Sequence, residues 1–279
     1  MVNAAAPAPA SGFRGTVVFS HANGFPALTY RLLFEAWTDH GYRVLYVPQF
    51  GHNPAYPVTS NWPHLRDELL HLIDTEAAGQ RVHLVGHSMG GYLSLLVASR
   101  KPQCVRSVLL LDSPIVTGWR AHSLHVAKMT GLARRFSPGR ISGQRRWQWP
   151  NTAAALQHFA QKKTFAAWDP RVLADYIHSG TEPDPDGATP DAVRLRFKRE
   201  VETRLYNTLP HHLGPLLHQH PPGGPVIFIG GTRSAEIHQA GMEGTIRIVQ
   251  DRLEWIPGGH LFPMERPKQT AAAVMRALG

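Results

Sequence analysis

The chain reads as an α/β protein, a doubly wound and mostly parallel sheet with a helical cap inserted over about residues 113–220. Three observations predict this. Short apolar runs alternate with segments whose apolar residues recur at helical spacing. That alternation stops after Ser113 and resumes near Pro225. At its centre a serine stands between glycines, with an apolar run before it and an amphipathic one after it. Strands joined by helices require right-handed crossovers, and hence a parallel sheet covered on both faces. Reactive groups in such sheets gather beyond the carboxyl ends of the strands.

The elements follow in order. Residues 15–20 (GTVVFS) form a strand that runs into the tight loop His21-Ala22-Asn23-Gly24-Phe25-Pro26. Residues 28–40 have helical spacing, and Gly41 is placed to end the helix. Residues 42–47 make a strand, 62–73 a helix, 81–85 a strand, 89–99 a helix and 105–111 a strand. In the interrupted part, residues 119–132 and 152–165 read as helices, as do 172–178 and 192–209. Ser137-Pro138-Gly139 and residues 182–187 read as loops. Residues 225–230 and 253–256 are the last two strands.

Composition sets the outer bounds. A chain of 279 residues with 43% apolar content can bury one large core, so a single domain over residues 1–279 is expected. The lone cysteine, Cys104, fits a reducing compartment, and with no signal-like or membrane-spanning run the expected location is the cytoplasm. The net charge is +9, and residues 113–168 carry nine Lys or Arg and no Asp or Glu. That bias suits either a solvated arginine-rich surface or attraction of an anionic ligand. No nucleic-acid recognition motif accompanies it. His211, His212, His218 and His220 lack metal-site spacing and acidic neighbours, and no metal or organic cofactor is implied. Oligomeric state is not encoded in any motif.

The chemistry is concentrated at Gly86-His87-Ser88-Met89-Gly90. A serine on so tight a strand-to-helix bend takes strained backbone angles, which exposes its Oγ and aims the Met89 N–H at a reacting carbonyl oxygen. This stretch resembles the nucleophile elbow of the α/β-hydrolase superfamily. The resemblance extends to Asn23-Gly24-Phe25-Pro26, similar to the family's His-Gly-Phe-Pro loop, and to Gly258-Gly259-His260 after the last strand. It implies an α/β-hydrolase fold, Ser88 as nucleophile, His260 as base, and Phe25 with Met89 as backbone oxyanion donors. At Gln49-Phe50-Gly51-His52-Asn53 the family's usual Arg-Gly-x-Gly is reduced to Gly51, which leaves Phe50 and His52 free to line a pocket or to serve the fold alone. The family's usual acid, an aspartate three residues beyond a glycine after the penultimate strand, is replaced by Ser234. Asp112, at the end of the strand beside the elbow strand, is the favoured substitute, and Glu236 is the alternative.

These residues imply a serine hydrolase cleaving a carboxylic ester, or a related thioester, amide or carbon–carbon bond, through a triad and an acyl-enzyme. The partner would be a small acyl substrate, anionic or hydrophobic. Trp119, Trp147, Trp149, Phe159, Phe165 and Trp168 would wall an acyl pocket or form the cap's own core. The alternative is a non-catalytic ligand-binding or interaction module, which would show a closed cap or leave Ser88 Oγ out of reach of His260.

Overall fold

The computed structural model describes residues 3–4, 12–116 and 145–279. Its centre is a sheet whose strands are β1 (Asn3–Ala4), β2 (Gly15–Ser20), β3 (Tyr42–Tyr46), β4 (Val82–His87), β5 (Val105–Leu111), β9 (Val226–Gly231) and β10 (Leu253–Ile256). Three short strands between β5 and β9 belong to a separate sheet. The spatial order is β1-β3-β2-β4-β5-β9-β10, with β1 antiparallel on the edge and the other neighbours parallel. The elbow strand β4 is flanked by β2 and β5, with Val18 opposite Leu84 and Leu84 opposite Val108.

Strand alternation divides the apolar residues between two cores. Val18, Leu84, Val108 and Phe228 face one side, against α2 (Pro63–Glu76) and α3 (Met89–Arg100). Val17, Phe19, Val85, Leu109 and Ile229 face the other, against α1 (Arg31–Asp39) and the C-terminal helix α12 (Pro267–Leu278). A 3-10 turn, Ala27–Tyr30, replaces the first turn expected of the α1 region. Gly41 ends that region at φ +88, and a Cβ there would lie 2.4 Å from the Gly12 carbonyl oxygen.

The inserted part is more mixed than its sequence suggests. It contains α4 (Thr152–Ala160), α5 (Lys163–Ala166), α6 (Pro170–Gly180), α7 (Arg199–Asn207) and α8 (Leu213–Gln219). Between them β6 (Gln148–Trp149), β7 (Thr181–Pro183) and β8 (Val193–Leu195) form an antiparallel sheet in the order β6-β8-β7. The continuous helix expected over residues 192–209 is therefore corrected. Val193 and Leu195 point inward while β8 pairs on both sides, and the helix starts only at Arg199. Likewise Thr181–Pro183 pairs as a strand where a loop was expected. The helix expected over residues 119–132 and the loop at 137–139 lie outside the described residues.

Trp149, Phe159, Phe165 and Trp168 are buried, and Phe159, Phe165 and Trp168 also meet Tyr176 edge to face or tilted, so these aromatics form a core within the insertion. Of the remaining helices, α9 (Ala235–Ala240) and α10 (Glu243–Val249) connect β9 to β10, and α11 (Phe262–Glu265) follows β10. Among the described residues no helix is long and apolar enough to cross a membrane.

One core-facing group titrates abnormally. Glu68 on α2 is only 7% exposed, and burial pushes its carboxyl up to about 7 from 4.5, although Asn53 hydrogen-bonds to it. Between those two values the folded chain holds a proton that the unfolded chain has lost. Stability therefore falls as pH rises through that window, by roughly 3 kcal/mol in all. Glu68→Gln is expected to flatten this dependence and to raise the melting temperature at pH 8 by about 2–5 °C. Melting curves between pH 4.5 and 8 check it, and an unchanged slope in the variant would refute the assignment.

Candidate active site

The site is built on one residue without regular structure. β4 ends at His87 and α3 starts at Met89, so Ser88 alone makes the turn, with φ +54 and ψ −116. This is a costly conformation for a residue with a Cβ, and the close approach of its neighbours enforces it. A Cβ on Gly86 would lie 2.2 Å from the carbonyl of Gly90, and one on Gly90 would lie 1.9 Å from the carbonyl oxygen of Ser20. The Ser88 N–H is tied to the Leu111 carbonyl at 2.9 Å.

Two distant loops complete the arrangement. His260 follows β10 after Gly258-Gly259, and its Nε2 lies 2.9 Å from Ser88 Oγ. Its Nδ1 lies 2.9 Å from Oδ1 of Asp112, directly after β5. The contacts fit one tautomer, with Nδ1–H donating to the carboxylate and Nε2 accepting from the serine hydroxyl. Asp112 sits at φ +46, fully buried. Its Oδ2 accepts from the Gly231 N–H at 2.7 Å, and its Oδ1 also accepts from Ser234 Oγ at 2.6 Å. Three donors thus satisfy a carboxylate that would be very costly to bury alone. Glu236 Oε2 is 3.9 Å from His260 Nδ1, beyond hydrogen-bonding distance, and its side chain is 49% exposed.

Ser234 is the residue the sequence reading passed over. It stands where the resembled pattern holds an acid, and here its hydroxyl donates to an acid that comes from another strand. A short polar side chain at that position, with a carboxylate ending a neighbouring strand, was the available signal.

The two expected backbone donors differ in disposition. Met89 is the first residue of α3, so its N–H has no acceptor within the helix. The Phe25 N–H closes a tight turn onto the Ala22 carbonyl at 3.2 Å, with Gly24 at φ +84. Phe50 and His52 do not take the pocket-lining place open to them. Phe50 is fully buried, and its N–H donates to His21 Nε2 at 2.9 Å. His52 Nε2 accepts from the Lys198 N–H at 3.0 Å, which pins the start of α7 to the core, and burial lowers the pKa of its imidazole.

Ser88 and His260 open into a cavity of about 430 Å³ walled by Met89, Tyr92, Val116, Tyr206 and Leu209, with Glu236 at its side. Burial pushes the Tyr206 phenol up to about 12, so it is uncharged at neutral pH. Apart from Glu236 and the Asp112–His260 pair, no charged residue is among the described walls.

Residues 17–273 match the model of the alpha/beta hydrolase family. The chain belongs to the alpha/beta hydrolase family. RutD of Stutzerimonas stutzeri strain A1501, which carries the name of a carbamate hydrolase, is 32% identical over 116 residues. The match spans 40% of this chain and 41% of that relative's length. Among solved structures, E-2-(acetamidomethylene)succinate hydrolase superposes with a TM-score of 0.73 at 21% identity, over 94% of this chain and 90% of that one. The peroxisomal alpha-beta-hydrolase Lpx1 of Saccharomyces cerevisiae gives 0.72 at 17% identity, over 99% and 80%. At these identities the superpositions speak for the alpha/beta hydrolase fold.

The elbow geometry generates a direct test. Gly90→Ala would drive a Cβ into the Ser20 carbonyl oxygen, a backbone atom that cannot rotate away. The variant is expected to lose several kcal/mol, in the range of severe backbone clashes, and to accumulate poorly. Thermal melting of purified protein measures this, and a Gly90→Ala variant within 1 °C of the parent would contradict the packing.

Proposed function

We propose that this alpha/beta hydrolase is a serine hydrolase that cleaves a carboxylic ester, or a related acyl bond, through an acyl-enzyme. The observation that carries the reading is the unbroken chain from Ser88 Oγ through both nitrogens of His260 to Asp112, each link 2.9 Å long. In this mechanism Ser88 Oγ attacks the carbonyl carbon while His260 Nε2 takes its proton. Asp112 holds the imidazole in the required tautomer and stabilises the imidazolium, without itself becoming protonated. The Met89 N–H donates to the oxyanion, joined by the Phe25 N–H as it turns from, or shares, the Ala22 carbonyl. His260 then returns the proton to the leaving group. Water, deprotonated by the same imidazole, attacks the acyl-enzyme to release the acid and regenerate Ser88.

Three features support this assignment. The catalytic distances lie within hydrogen-bond reach even without substrate. The serine is strained into exposure beside a helix start, where developing negative charge is favoured. The adjoining cavity is mainly apolar, as an acyl or alkyl group requires. The carbamate named for RutD is also an acyl derivative, and its leaving group would be protonated by His260 in the same way. Of the two signatures of a non-catalytic binding module, a closed cap or Ser88 Oγ out of reach of His260, the 2.9 Å contact speaks against the second.

A fluorophosphonate probe is expected to label the wild type and not Ser88→Ala, with nitrophenyl esters turned over by the wild type alone. Asp112→Asn is expected to lower turnover roughly 10⁴-fold, whereas Glu236→Gln loses less than about tenfold. A folded wild type that neither labels nor turns over would sink the proposal. Equal losses in the two acid variants would reassign the carboxylate.

A further inference from the structure

Two buried polar residues have no part in the mechanism above. Tyr30 ends the 3-10 turn after β2, and His87 is the last residue of β4, immediately before Ser88. Both are essentially inaccessible to solvent. Their hydrogen bonds form one chain. The Ala22 N–H donates to Tyr30 Oη at 3.2 Å, and Tyr30 Oη lies 2.7 Å from His87 Nδ1. His87 Nε2 lies 2.9 Å from the carbonyl oxygen of His260.

Only one set of proton positions satisfies every atom. A carbonyl oxygen can only accept, so His87 Nε2 carries a proton and donates to His260. In neutral imidazole Nδ1 must then accept, so the Tyr30 hydroxyl donates to it while its oxygen takes the Ala22 N–H. Tyr30 therefore selects the tautomer of His87 that can hold the His260 backbone. The chain links the start of the turn that carries the Phe25 N–H, the residue beside the elbow, and the loop that carries the imidazole. His87 and Ser88 thus grip His260 from both ends, one at its carbonyl and the other at its ring.

We propose that Tyr30 and His87 are positioning residues for the reaction, which set the backbone of His260 and join it to the turn presenting the Phe25 N–H. This inference rests on the serine-hydrolase reading. A purely apolar pair could fill the same space, but it would leave the His260 carbonyl and the Ala22 N–H without these partners. The charge state of His87 also matters. Its ring centroid is 5.1 Å from that of His260, and a second positive charge there would oppose the imidazolium that forms as Ser88 attacks. Burial holds the His87 imidazole well below the usual histidine range, so it stays neutral while His260 takes the proton.

The test compares Tyr30→Phe, His87→Leu and His87→Gln with the wild type, using a nitrophenyl ester and the fluorophosphonate probe. Tyr30→Phe, which is nearly isosteric, is expected to lower kcat and the labelling rate together by about tenfold, the loss of one hydrogen bond. KM is expected to stay within about twofold, because the defect lies in the transition state and not in binding. His87→Leu is expected to lose more than Tyr30→Phe, and His87→Gln, which retains an N–H donor, should recover most of the loss.

The proposal is overturned if folded Tyr30→Phe keeps kcat within about twofold of wild type, or if its loss lies in KM alone. It is also overturned if His87→Gln is folded yet no better than folded His87→Leu. Should His87→Leu fail to fold, Tyr30→Phe still decides the matter. A wild type that neither labels nor turns over is a different outcome, and it removes the serine-hydrolase reading itself.

Discussion

A serine held at φ +54 between a strand and a helix is the constraint on which the rest of the site depends. Such a residue relaxes unless its surroundings forbid it, at a cost of order 1–3 kcal/mol. Here the restraint comes from the middle of the sheet. Hydrogen bonding to Leu111 fixes the elbow to β5, and the approach of Gly90 to Ser20 fixes it to β2. Both contacts need the parallel neighbours that only a central strand possesses. The same packing sets the path of the chain after β2, since Ala22 and its turn lie two residues beyond the Ser20 carbonyl. Strain at Ser88 and placement of the neighbouring turn are therefore one packing problem.

The carboxylate beside His260 arrives by a different route from the resembled pattern. In the resembled arrangement the loop after the penultimate strand contributes the carboxylate. Here that loop contributes donors to a carboxylate arriving from β5, through the Gly231 N–H and the Ser234 hydroxyl. Because β9 lies between β5 and β10, the histidine loop must fold back over the end of β9 to reach Asp112. Gly231 makes that possible, since a Cβ there would lie 2.3 Å from the Gly259 carbonyl oxygen. One glycine thus leaves room for the His260 loop to approach and supplies an N–H to the Asp112 carboxylate. No regularity in the sequence marks Gly231 for this role.

The alternation of strands and helices, the glycine spacing around Ser88 and the Gly-Gly-His after the last strand were legible because each is a local pattern. Asp112 and Glu236 could not be ranked securely from sequence. Their distances to His260, 2.9 and 3.9 Å, depend on the route of a loop and not on separation along the chain. The insertion was misread where local signals were weakest. Val193–Leu195 is only three residues long in a strongly basic stretch, and it becomes a strand because partners lie on both sides. Phe50 and His52 were ambiguous in the sequence for a related reason. Their polar and aromatic character suits a pocket wall, yet tertiary contacts use them to brace the loop and to hold α7.

The bracing explains why the insertion and the sheet behave as one scaffold at the site. Asn23 Nδ2 donates to the Glu202 carbonyl on α7 at 3.0 Å. The Glu202 carboxylate reaches so close to the same turn that a Cβ on Gly24 would lie 3.1 Å from it. That carboxylate is buried, burial raises its pKa, and Arg145 lies 2.8 Å away as its partner. A buried ion pair adds little net stability, because desolvation offsets the attraction, but breaking it strands a charge. Its consequence here is geometric, since the Arg145–Glu202 pair and the Asn23 hydrogen bond both meet at the seat of α7 on the Asn23-Gly24 turn. Glycine at position 24 suits φ +84, and a larger residue there would also press on the carboxylate above it. The residue that shapes the turn before Phe25 is therefore also the residue against which the insertion docks.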